Sequence, residues 1–191
     1  MNSRQILAAV ASVGVAMASQ STLAGTIDVT YSGSANFGGG PVGYFGGSVV
    51  PNPNSDTKLV GVGIGGDSFT STNHAYDFSS TGQFNAWCVD IYHWMSGGTV
   101  TYTVGTVGDL ATELNALRPG TPNGTKRVDD LVRLANEVYF SVDTKKESAA
   151  FQLAVWAIAY GNVDGSGHYH INTTDPGFKV DSGTMSSDFG M

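Results

Sequence analysis

Two residues of this 191-residue chain carry side chains that can react with each other. Cys88, the only cysteine, stands in NAWCVDIYHW, and Gln152 stands in the apolar run AAFQLAVWAIAY. A primary amide among Phe, Leu, Val and Trp needs polar partners, because burying it without them costs about 1 to 3 kcal/mol. A lone thiol in an exported chain faces oxidation. A thiolate can attack the side-chain carbonyl of glutamine and expel ammonia, leaving an internal thioester that removes both problems together. Cys88 can otherwise be a reduced thiol kept inert by burial, or half of a disulfide to a second chain. Gln152 can otherwise be an ordinary hydrogen-bonded amide near a helix start.

The remaining candidates are weaker. A cysteine hydrolase needs an imidazole beside a thiol of depressed pKa. His93 lies five positions beyond Cys88, an odd offset that points to the opposite face of a strand. His74, His168 and His170 would have to arrive through tertiary contacts, so an enzyme is not the expectation. NVDGSG (Asn162 to Gly167) has oxygen ligands at alternate positions, but Thr173 stands where a calcium loop needs a bidentate glutamate, which favours a polar turn. His168 and His170 share a strand face without a third ligand nearby and read as surface residues. No metal or cofactor is expected. Asp90 shares the Cys88 face by alternation and is expected to fix the strand by a hydrogen bond, with proton transfer to the leaving amine as a lesser role. Asn123-Gly-Thr and Asn172-Thr-Thr are glycosylation sequons where the host glycosylates.

The elements that must position Cys88 and Gln152 follow from pattern. MNSRQ, the uncharged run ILAAVASVGVAMA and the small residues STLAG read as a signal peptide over 1–24, cleaved after Ala24, with Ala18 second. Residues 25–180 read as one domain and 181–191 as a weakly ordered tail. With 26 glycines, 13% charged residues and a formal net charge of −7, the composition suits a turn-rich extracellular β protein and disfavours nucleic acid or anionic membranes as partners. TIDVTYSG, TKLVGVGI and QFNAWCVDIYHW (Gln83 to Trp94) read as strands. GTVTYTV follows the cysteine strand and is expected to form a hairpin with it. NFGGGPVGYFGG (Asn36 to Gly47) reads equally as a loop or as glycine-kinked strands.

Three helices come next: GDLATELNALRPG, KRVDDLVRLANEVYF, and a third after Asp143 and Thr144, where Thr144-x-x-Glu147 fits a capping box and Gly161 a C-terminal stop. On the third, Phe151, Val155, Ile158 and Ala159 make an apolar stripe with Gln152 beside it, one turn from Trp156. HYHI (His168 to Ile171) reads as a returning strand. The expected class is α+β: a β-rich sandwich or barrel-like body with a helical subdomain of about three helices.

WCVD followed by a helix carrying FQLAVW resembles the bacterial thioester domain of secreted surface proteins. The match runs through Phe151, Gln152, Val155 and Trp156, and Ala154 fits the related Thr-Gln-x-Ala form. The preceding helix LVRLANEVY occupies the same place before the glutamine helix, so the resemblance covers roughly Gln83 to Gly161. Phe151 stands where threonine is common and Trp87 where Tyr, Phe or Leu is usual. Both keep bulk, and neither removes a reacting atom. FQLAVW after an alanine-rich leader is similar also to exported Gram-negative proteins with a C-terminal Pro-Glu-Pro sorting tail, although neither that tail nor a Leu-Pro-x-Thr-Gly anchor is present in this sequence.

The resemblance implies a Cys88–Gln152 thioester that captures an amine, such as a lysine of a surface protein or matrix polymer, from an extracellular location. Trp87, Phe151 and Trp156 would shield the bond from water. The competing expectation is a structural or carbohydrate-matrix module on the same scaffold without the reactive bond.

Overall fold

A computed structural model describes residues 25–34, 45–50, 59–71, 82–92, 98–119, 122–170 and 178–180. The leader over 1–24, the tail over 181–191, His74, His93 and Thr173 lie outside the described residues. The fold is a mixed α+β arrangement. Strands β1 (Gly25–Ser34), β4 (Asp67–Ser71), β5 (Gln83–Ala86) and β6 (Thr99–Val104) form an antiparallel sheet in the order β5-β4-β1-β6, which does not close into a barrel. Strands β2 (Phe45–Val50), β3 (Leu59–Ile64) and β7 (Lys179–Val180) form a second sheet in the order β3-β2-β7. The helices are α1 (Val107–Leu117), α2 (Gly124–Val138) and α3 (Lys145–Tyr160), with a single 3-10 turn, Tyr139–Ser141, between α2 and α3.

Local chemistry explains where the helices start. Thr106 caps α1 and Thr144 caps α3 through reciprocal bonds with Asp109 and Glu147, each satisfying end amides that the helix itself leaves unpaired. Asn123 caps α2 through Lys126 N. Gly124 lets α1 and α2 approach closely, since a Cβ there would fall 1.9 Å from the Ala111 carbonyl oxygen. α3 is not the two-faced helix its apolar stripe suggests: from Phe151 to Tyr160 every side chain but Ala154 is buried. Buried Arg127 of α2 closes its far end, donating to the Ile158 and Gly161 carbonyls and, through Nε, to Pro122 O.

The four-stranded sheet buries one face built by alternation: Ile27, Val29, Phe69, Phe84, Ala86 and Tyr102 form a cluster, with Tyr31 and Val100 packed against it. A second, larger cluster joins the helices to Ile64 of β3, to Val180 of β7 and to Trp87 and Val89 just past β5.

Three expectations change. The cysteine segment is a strand only from Gln83 to Ala86, and it turns away by Ile91. It forms no hairpin with β6: β5 pairs with β4 and β6 with β1, so two strands stand between them. Over its described residues, 168–170, the expected returning strand is reduced to one bridge, Val163 to Tyr169, and Ile171 lies outside the described residues. Asp164 holds that region as a polar turn, its Oδ1 accepting from the amides of Ser166 and His168 and its Oδ2 bonding His170 Nε2 at 2.9 Å. Among the described residues, no helix is long and apolar enough to cross a membrane.

Candidate functional site

The fold places Cys88 against Gln152 across 64 residues of sequence. The Gln152 amide docks on both polar atoms of the Cys88 backbone: Cys88 N donates to Oε1 at 3.0 Å, and Nε2 donates to Cys88 O at 2.7 Å. The side chain thus takes the backbone bonds of Cys88, two residues past the end of β5. Gln152 is 1% exposed, and both ends of its amide are satisfied.

The thiol makes its own contact, with Sγ donating to Asp90 O at 2.9 Å. Asp90 Oδ1 accepts from Tyr92 N at 3.0 Å, so the aspartate fixes the turn that follows the cysteine rather than a strand. Burial, followed by the Asp90 charge, pushes the Cys88 thiol up to about 12, and the bond to Asp90 O offsets only part of this. The resting sulfur is therefore a protonated thiol at neutral pH.

Aromatic side chains enclose one flank. Trp87 is fully buried, with its ring 4.7 Å from Phe151 and 5.5 Å from Tyr139 between ring centres. Its Nε1 donates to Ser148 O at 3.0 Å and lies 3.2 Å from Ser148 Oγ. That hydroxyl also accepts from Gly66 N at 2.8 Å. Gly66 must lack a side chain, because a Cβ would sit 2.8 Å from Trp87 Cε2 and 2.9 Å from Cζ2. Tyr139 donates to Asn85 O, and Tyr160 accepts from Ile91 N, so hydroxyls from the helical part hold the chain on both sides of the cysteine. Trp156 is buried too, but its ring contact is with Phe178, centres 6.4 Å apart.

Of the sequence candidates, the structure joins Cys88, Gln152, Trp87, Asp90 and Phe151 into one locale, and Trp156 lies in the same buried cluster as Trp87 and Phe151, its ring also meeting Phe178. Ser148, Tyr139, Tyr160, Gly66 and Asp67 were not singled out by sequence reasoning. Ser148 had a usable signal: it lies one turn before Gln152, so the two make a polar stripe on an otherwise apolar helix. Asp67 had none, since its neighbourhood is made by strand pairing. Among the described residues, no group of three or more His, Cys, Asp or Glu side chains could hold a metal ion.

No family model, no curated protein and no solved structure matches the chain.

Proposed function

We propose that this is an exported surface or matrix protein whose Cys88 and Gln152 join as an internal thioester for covalent, non-enzymatic attachment to amine-bearing targets. The observation carrying this reading is the docking of the Gln152 amide on the Cys88 backbone. It holds the electrophilic carbon beside the residue that bears the nucleophile, the pre-positioning that makes such a reaction effectively intramolecular. In forming the bond, Sγ attacks Cδ, the Cδ–Nε2 bond breaks, and the thiol proton leaves with ammonia. A target amine then attacks Cδ, forms an amide there and releases the Cys88 thiol. The raised thiol pKa makes the sulfur a poor standing nucleophile, unlike the depressed thiol of a cysteine hydrolase. The acidic composition would draw lysine-rich partners in a salt-dependent encounter that precedes the covalent step.

One observation favours a second reading. The Gln152 amide is fully hydrogen-bonded and the thiol has its own acceptor, which is also what a non-reactive structural or carbohydrate-matrix module needs to clamp a loop to a helix. Intact mass separates the two. The thioester protein weighs one ammonia less than its sequence, takes up one methylamine, and carries the methylamide at Gln152 alone. A full-mass protein whose thiol titrates at once and which takes up no methylamine would leave the clamp as its only role.

A further inference from the structure

A thiol held at about 12 and an amide nitrogen that must leave as ammonia both need a proton carrier. Asp67 stands on β4 directly opposite Ala86 of β5, and Cys88 follows Ala86 by two residues. The Asp67 side chain shares the buried face with Phe69, Phe84 and Ala86 by alternation along the paired strands. It is 7% exposed, and its Oδ1 is buried without a hydrogen-bond partner among the described residues. The Tyr31 hydroxyl of β1 hydrogen-bonds the same carboxyl. The Asp67 charge is the last and smallest of the causes that raise the Cys88 thiol.

Such a group is costly to bury. Resting on the thioester reading above, we propose that Asp67 carries the proton of the Cys88–Gln152 reaction: its carboxylate takes the Sγ proton as sulfur attacks Cδ and delivers it to the departing nitrogen, which leaves as ammonia. The carboxylate is regenerated, so no other reactant is consumed. Attack by a target amine runs the same path backwards, the amine giving its proton to Asp67 and Asp67 giving it to the released sulfur. Among the described residues, the titratable groups around the pair include Tyr31 from β1, Tyr102 from β6, Asp90 after β5 and Tyr160 from α3. The tyrosines are all raised in pKa, with burial the first cause in each, so they stay neutral while Asp67 titrates.

The test is the rate of methylamine uptake by the intact chain, followed by mass and expressed per free amine across pH 5 to 9. Burial lifts Asp67 to about 7, so wild-type uptake should rise with pH and level off above that value. Asp67→Asn should remove the rise and slow uptake by about 10²- to 10⁴-fold, the usual range for general acid-base help. Tyr31→Phe keeps the carboxylate but removes the bond that lowers its pKa, so its profile should keep the rise and move it to higher pH. If Asp67→Asn fails to fold, the Tyr31→Phe displacement still decides. Wild-type rates and profile in Asp67→Asn, or an unmoved midpoint in Tyr31→Phe, would overturn the role of Asp67 and leave the thioester standing. A wild-type chain of full mass would instead overturn the thioester itself and Asp67's role with it.

Discussion

Replacing Gln152 by Leu isolates the clamp on which the site depends. Leucine keeps most of the buried volume, so the cavity contribution is small, and the change falls on two hydrogen bonds. Both partners are backbone atoms of Cys88, bonded at 3.0 and 2.7 Å to a side chain that is 1% exposed. Each orphaned group costs about 1 to 3 kcal/mol, giving an expected loss of about 2 to 5 kcal/mol if water only partly replaces the amide. In the wild-type background the same change would also abolish a thioester, whose closure of a 64-residue separation would add about 4 kcal/mol by chain entropy. The comparison therefore belongs in a Cys88→Ala background, where no thioester can form and the backbone clamp persists. Urea unfolding of Cys88→Ala against Cys88→Ala/Gln152→Leu reads the clamp, and wild type against Cys88→Ala reads the cross-link and a small packing loss, offset by the Nε2 bond to Cys88 O that leaves with ammonia in the wild type. A clamp difference below about 0.5 kcal/mol, within the range of ordinary surface substitutions, would show that the amide does not hold the loop to the helix.

Asp67 also predicts a pH dependence of stability. Its folded pKa of about 7 exceeds the ordinary 3.8, so between these values the folded chain binds more protons than the unfolded chain, and stability falls as pH rises through that window. Asp67→Asn should therefore gain stability relative to wild type between pH 4 and pH 7 and hold that gain above it, read as the difference in urea midpoints; parallel pH profiles would refute this assignment. Gly66→Ala should push the Trp87 indole off its seat, because the new Cβ would lie 2.8 Å from Cε2, and lower stability by about 1 to 3 kcal/mol as overpacked cores do. Tryptophan fluorescence and the thermal midpoint report it, and an unchanged pair of readings would place the indole elsewhere.

What the sequence determined by itself was whatever depends on neighbours along the chain. The Thr144 and Glu147 capping box and the stop at Gly161 were readable because each is formed within a few residues. The strand at Thr26 to Gly33 was readable from its β-branched and aromatic residues, and the three helices from their period together with their caps and stops. Only the tertiary structure decided how far the cysteine strand runs, because past Ala86 the backbone of Cys88 bonds not a strand but a glutamine 64 residues away. It likewise moved β6 from β5 to β1, since alternation tells a strand which face to bury but not which edge to join. Trp156 shows both sides of this within one helix: its spacing from Gln152 was local, whereas its contact with Phe178, in the cluster it shares with Trp87 and Phe151, belongs to the tertiary structure. Asp67 was illegible for a stronger reason. An aspartate beside glycines looks like a turn residue, and its burial comes with its pairing opposite Ala86, a contact between strands that no local pattern encodes.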